Sequence, residues 1–247
     1  MNKNALIIAH PGHELLIYKW LKNNPCRVYI FSDGSGSANE ARIHKSIELL
    51  NNIGSVKSDS IESIPDKALY QKVLNKESDF FINIAERIYS ELILTNVDII
   101  IGDRMEGFNP IHDICRMLIN SVAARLDKKN LKNYSFSLEN LSSESEAFES
   151  IILSDEEFEE KLNAANNYHE LDSESVRLRS KFQDEVFKTE KLLLEKPENL
   201  DESSYVNPYY ESFGKRQIEK GVYKDLITYK DHLFPIYTAL KDWSKRK

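Results

Sequence analysis

Ala5-Leu6-Ile7-Ile8-Ala9-His10-Pro11-Gly12-His13-Glu14 sets five apolar residues directly before two histidines, a proline and a glycine. The apolar run has no polar alternation, so it reads as a strand covered on both faces, as in a parallel sheet layered by helices. The polar turn ends it, and 14–21 reads as a first helix, with Pro11 suited to the first helical position and His13 to the first turn. Working outward, Cys26-Arg27-Val28-Tyr29-Ile30-Phe31 reads as a second strand, closed by the loop Ser32-Asp33-Gly34-Ser35-Gly36. A helix is expected over 39–51, with Ile43, Ile47 and Leu50 on one stripe. Residues 54–65 read as irregular. A long amphipathic helix is expected over 78–94, with Phe81, Ile84, Ile88 and Leu92 inward. Val97-Asp98-Ile99-Ile100-Ile101 reads as a buried strand ending at Gly102-Asp103, and 111–126 as the next helix. Strand and helix alternate three times, which predicts an α/β fold with a mostly parallel sheet, right-handed crossovers and helices on both faces.

Beyond residue 132 the character changes. Residues 134–138 read as a strand and the Ser/Glu-rich stretch 137–150 as a loop. Ser154 with Glu157 forms a capping-box pattern, which predicts a helix to about residue 168. A further helix is expected over 173–194, with Val176, Phe182, Val186 and Leu193 inward, then a loop over 197–208 and short aromatic-rich elements over 209–243. The chain of 247 residues therefore reads as one domain, 1–247, with a core over about 1–135 and a helical C-terminal elaboration over about 136–247. The two cysteines, Cys26 and Cys115, lie in apolar stretches and read as buried thiols of a reducing compartment. A net charge of -7 argues against nucleic acid as a partner, since phosphate binding needs a basic face. The apolar runs are far shorter than a membrane span, and the first strand starts too near Met1 for a signal peptide. The expectation is a soluble cytoplasmic protein.

Ligands of open parallel sheets sit beyond the carboxyl ends of the strands. His10, Asp33 and Asp103 each end a strand, so all three belong at one sheet edge. His10 and His13 are three residues apart at a helix start, where the positive end of the helix disfavours protonated imidazole and leaves lone pairs for a metal. His112 opens the helix after the strand that ends at Asp103, which makes it the third candidate ligand. Three histidines and a water form a catalytic zinc pattern. A His-x-x-His pair also arises by chance with no metal, and that reading stands beside the first.

Ala9-His10-Pro11-Gly12-His13-Glu14 resembles the Ala-His-Pro-Asp-Asp-Glu signature of the PIG-L-type (LmbE-like) de-N-acetylases. Gly107-Phe108-Asn109-Pro110-Ile111-His112-Asp113 resembles that family's second signature, His-Pro-x-His. The likeness covers roughly the first half of the chain. It implies a Rossmann-like fold and zinc-dependent removal of acetyl groups from acetamido sugars. His10 and His112 match the family's histidine ligands, and His13 falls on its aspartate ligand, which implies a neutral three-histidine shell and a more acidic bound water. Gly12 stands where the family has its general base, and Asn109 where a histidine steadies the oxyanion; an amide can also donate to an oxyanion. Replacement bases are Asp33 and Asp103, then Glu14 and His232. Asp33 and Asp103 have an alternative reading as a cap or loop hydrogen bond, Glu14 as a charge favouring the helix terminus, and His232 as a partner behind the site or a surface histidine. The glycine-bearing loop 32–36 lets backbone approach a ligand, or is a plain loop, since it lacks a phosphate-loop signature. Arg42 and Arg104 suit an anionic group or are solvated surface charges, and Tyr205, Tyr209, Tyr210, Tyr223 and Tyr229 supply rings that stack on sugars or pack in the core. The resemblance implies a zinc-dependent amide hydrolase acting on an acetamido sugar or its conjugate. The alternatives are a metal-retaining sugar- or partner-binding protein without deacetylase activity, and another metal-dependent reaction on the same scaffold.

Overall fold

The computed structural model describes residues 3–36, 40–140, 148–167, 184–196, 199–204 and 207–246. In chain order, β1 (Asn4–Ile8) leads through a 3-10 turn (His13–Ile17) into α1 (Tyr18–Asn23), then β2 (Arg27–Ile30), α2 (Ile43–Asn52), β3 (Val56–Lys57), α3 (Asp66–Leu74) and α4 (Ser78–Thr95). There follow β4 (Ile99–Asp103), α5 (Pro110–Leu126), β5 (Lys132–Phe136), β6 (Glu149–Ile152), α6 (Asp155–Asn166), α7 (Asp184–Phe187) and β7 (Thr189–Leu194). The chain closes with α8 (Tyr209–Glu219), a π-helical turn (Tyr229–Leu233) and α9 (Phe234–Lys245).

The strands form one sheet in the order β3-β2-β1-β4-β5-β7-β6. The first five are parallel; β7 runs antiparallel to β5, and β6 antiparallel to β7. Strand order moves one way from β1 to β3 and the other way from β4 to β5, so the topological switch lies between β1 and β4. This is a Rossmann-like α/β sheet, as the alternation of apolar strands and amphipathic helices predicts.

The two-sided burial of β1 follows from the period of a strand. Ala5, Ile7 and Ala9 pack with Tyr29, Ile100 and the inward residues of α4, α5 and α9. Leu6 and Ile8 pack on the opposite face with Val28, Ile30, Ile101, Trp20 of α1 and Leu50 of α2. Each buried leucine, isoleucine or valine among them contributes roughly 1.5–3 kcal/mol, and each alanine less. Helix α4 buries Phe81, Ile84, Ile88 and Leu92, as its spacing predicts.

Some elements differ from expectation. Helix α2 begins at Ile43 rather than at 39, because Arg42 N and Ile43 N both donate to Asp33 O at its start. It buries Ser46, Leu49 and Leu50, while Ile43 and Ile47 are only partly covered. The stretch read as irregular contains β3 and a bridge between Ser32 and Ile64. Helix α3 was not anticipated. The helix expected over 173–194 falls outside the described residues for 173–183, and its last six residues are strand β7. Those residues favour helix by propensity, but ladders to β5 and β6 on either side override it. The loop expected over 137–150 is cut short by β6 at Glu149.

The capping box of α6 is present: Glu157 N donates to Ser154 Oγ (3.2 Å) and Ser154 N to Glu157 Oε2 (2.9 Å). Helix α9 lies on α4 and α5, where the Arg125 guanidinium sits over the rings of both Tyr89 (4.8 Å) and Trp243 (4.5 Å). Both cysteines are free and buried. Among the described residues, no helix is long and apolar enough to cross a membrane.

Candidate functional site

The carboxyl ends of β1 and β4 bring His10, His13 and His112 together at the switch point. His10 is the second residue after β1. Gly12 then takes φ 104°, a left-handed conformation that side-chain-bearing residues rarely adopt, and turns the chain so that His13 opens the 3-10 turn. The first helical residue is therefore His13 and not Pro11. His112 sits in the first turn of α5, whose start is fixed by Pro110 and by Asn109 at the N-cap. Ring centroids are 5.5 Å apart for His10 and His13, 5.1 Å for His10 and His112, and 4.6 Å for His13 and His112.

Each ring has its own surroundings. His10 is 7 % exposed; its Nδ1 lies 2.9 Å from Ser32 Oγ and 3.0 Å from Asp66 Oδ1. Its Nε2 is buried, with no hydrogen-bond partner among the described residues. His13 Nδ1 lies 2.9 Å from Asp103 Oδ1. Burial, and then the nearby His13 and His10 charges, push His112 well below the usual histidine range, so this ring stays neutral at physiological pH. Burial works against the Asp66 carboxylate, but the His10 ring 3.0 Å away, Ser32 and the Gly36 amide together hold it well below the usual carboxylate range.

The fit of this cluster to a metal has two sides. Three imidazoles bound tetrahedrally at zinc distances of roughly 2.0–2.1 Å would place their centroids about 5 Å apart, close to the separations here. The buried Nε2 of His10 is the kind of lone pair that a cation satisfies. Yet among the described residues no group of three or more His, Cys, Asp and Glu side chains is set as a preformed metal site. The rings are gathered; a closed coordination cage is not in place. The donor set itself, three imidazoles of which two have a carboxylate behind them, suits a divalent ion of the zinc kind.

The other residues singled out in the sequence fall as follows. Both oxygens of Asp103 are engaged, Oδ1 at His13 and Oδ2 by Ala9 N (2.8 Å), and the residue is fully buried. Asp33 ends the β2 loop, its Oδ1 accepting from Ser35 N (2.8 Å). Asn109 is a cap: its Oδ1 accepts from Ile111 N (2.8 Å) and its Nδ2 donates to the Tyr70 hydroxyl (2.8 Å). Glu14 is buried and accepts from Gly12 N (2.8 Å) and the Ser46 hydroxyl, which ties the His10 loop to α2. His232 belongs to the π-helical turn, where Nδ1 accepts from Thr228 N (3.1 Å), so that nitrogen is spent on its own turn. Arg42 lays its stem against Gly34, and Arg104 donates its backbone N to Phe136 O (3.1 Å) at the ends of β4 and β5. Tyr209 stacks on Phe108 with centroids 4.9 Å apart and planes 3° from parallel. Tyr210 and Tyr229 are buried, Tyr223 is exposed, and Tyr205 lies outside the described residues.

The loop between β4 and Asn109 is fixed from below. Asp113 Oδ1 accepts from Glu106 N (3.1 Å) and Gly107 N (3.2 Å). Burial pushes Asp113 up to about 8, against those two amides and with the Glu106 charge adding to the rise. Glu106 in turn accepts from the amides of Leu138, Glu139 and Asn140, clamping the loop to the end of β5.

Sequence reasoning missed Asp66 and Tyr70, both on α3. Pro65-Asp66 followed by Leu69 and Val73 is a helix-start signal with an apolar i, i+4 pair, and it would have found the helix. Nothing local shows that its first residue meets His10, 56 positions earlier. The chain matches no family model, and it matches no curated protein in sequence.

Proposed function

We propose that the protein is a zinc-dependent amide hydrolase that removes an acetyl group from an acetamido sugar or its conjugate. The observation that supports this reading best is the gathering of His10, His13 and His112 at the switch point, with the His10 Nε2 buried and without a partner among the described residues. The substrate class rests on the likeness of the two histidine motifs to the de-N-acetylase signatures. His10, His13 and His112 would hold the ion, which when bound polarises an acyl oxygen and lowers the pKa of water towards about 7.

The chain's own groups divide the remaining work. Asp103 is engaged at His13 and Ala9, so of the two strand-end carboxylates Asp33 is assigned the proton acceptor. Asn109 gives one amide hydrogen to Tyr70, and its second is assigned to the oxyanion. Arg42 and Arg104 are assigned to an anionic part of the substrate, and the Phe108–Tyr209 stack to the face of a sugar ring.

Gly12 favours a second reading. It takes the place of the family's catalytic carboxylate with a backbone that suits glycine, which fits a protein that binds a sugar or a partner and no longer hydrolyses. Acetate release from N-acetylated sugars by the zinc-loaded protein separates the two. Hydrolysis predicts release that Asp33→Asn slows by roughly 10²–10⁴-fold. Zinc bound with no acetate released from any N-acetylated sugar supports the binding protein.

A further inference from the structure

Asp66 and Tyr70 lie one turn apart on α3 and share a face of it. Asp66 Oδ1 is 3.0 Å from His10 Nδ1, in the loop after β1; the hydrogen bond of that nitrogen is to Ser32 Oγ, and Asp66 Oδ1 makes none among the described residues, so the contact is one of charge and proximity. Asp66 Oδ2 accepts from Gly36 N, and its own N donates to Ser35 Oγ (3.2 Å), both in the loop after β2. Tyr70 accepts from Asn109, the cap of the helix that carries His112, after β4. One helix face therefore joins three strand-end loops, and Asp66 is the buried end of that joint, 6 % exposed.

We infer that Asp66 is a positioning residue that fixes the tautomer of His10, holding a proton on Nδ1 so that the Nε2 lone pair faces His13 and His112. A neutral imidazole carries its proton on one nitrogen, and the partner of the other decides which. Ser32 Oγ, 2.9 Å from Nδ1, both donates and accepts, so it decides nothing by itself. A carboxylate oxygen 3.0 Å from Nδ1 repels a lone pair there and attracts an N–H, so the nitrogen facing Asp66 is the one that carries hydrogen. Gly36 N at the second oxygen keeps the carboxylate from turning away. Asp103 stands in the same relation to His13, with Ala9 N on its second oxygen. Partners of this kind behind a metal-binding histidine change metal affinity by 10–100-fold when removed.

The effect on metal rests on the reading of the three histidines as ligands; the tautomer does not. The test is nitrogen-15 NMR of the histidine rings in metal-free protein, at a pH where they are neutral, with a zinc titration against a chromogenic chelator. In the wild type His10 is expected to carry hydrogen on Nδ1. In Asp66→Asn the amide oxygen stays with Gly36 N and the NH₂ turns to His10. The proton then moves to Nε2, and zinc affinity falls by about 10–100-fold. An Nε2–H tautomer in the wild type overturns the inference without any variant. So does an Asp66→Asn protein with unchanged tautomer and unchanged zinc affinity. A wild type with the expected tautomers but no zinc binding sinks the metal reading and leaves the positioning role standing.

Discussion

At the scale of single residues, the polar groups near the sheet edge are spent mainly on holding backbone, which makes their removal measurable. Asn109→Ala deletes the cap of α5 and the bond to Tyr70, and is expected to lower stability by about 0.5–2 kcal/mol in urea denaturation. Glu91 gives a pH dependence away from the site. It accepts from the Tyr29 hydroxyl (3.0 Å) and from Ser58, and pairs with Arg27 (2.7 Å). Burial alone would raise its pKa, but the Ser58, Ser60 and Tyr29 hydrogen bonds with the Arg27 charge lower it. The folded state thus binds the proton less readily than the unfolded chain. Its stabilisation is complete above the ordinary glutamate range and is lost as pH falls through the lowered folded value. Glu91→Gln is expected to be less stable at neutral pH and to lose less stability on acidification. An acid limb identical to wild type would contradict this. The histidines were legible because each sits beside a local signal, a strand end or a helix start. Asp66 was not, because its role comes from a contact across the fold.

At the scale of elements, the close approach of β1 and β4 has a sharp requirement. Gly102 faces Ile7 in the register, and a Cβ there would overlap the Ile7 carbonyl oxygen and crowd Ile119. Gly102→Ala is expected to destabilise by more than an ordinary glycine-to-alanine change, with loss of the cooperative thermal transition as the strongest outcome; a melting curve like that of wild type would contradict it. Apolar runs without alternation marked β1, β2 and β4, since burial on both faces writes itself into the sequence. Strand β7 was hidden for the opposite reason. Thr189-Glu190-Lys191-Leu192-Leu193-Leu194 carries helix-forming residues, and only its neighbours in the sheet make it a strand.

At the scale of the whole molecule, the C-terminal part is built into the same sheet and holds the N-terminal site loop. Glu190 of β7 accepts from Lys19 N (2.9 Å) and Trp20 N (2.8 Å), capping α1 directly after the turn that begins at His13. Lys161 of α6 donates to Glu190 (2.9 Å) and to Leu16 O (3.0 Å), in a pair that is almost wholly buried. Removing one partner of such a pair leaves the other charge uncompensated, so Lys161→Ala is expected to cost about 3–5 kcal/mol in chemical denaturation. No pattern in the sequence announced this link, because a lysine and a glutamate 29 positions apart read as solvated surface. The central claim, a metal site made by three histidines, is tested most directly by elemental analysis of the purified protein and of His13→Ala after exposure to zinc. About one zinc per chain is expected in the wild type, and its loss in the variant. A wild type that takes up no metal, even with zinc supplied, would contradict it.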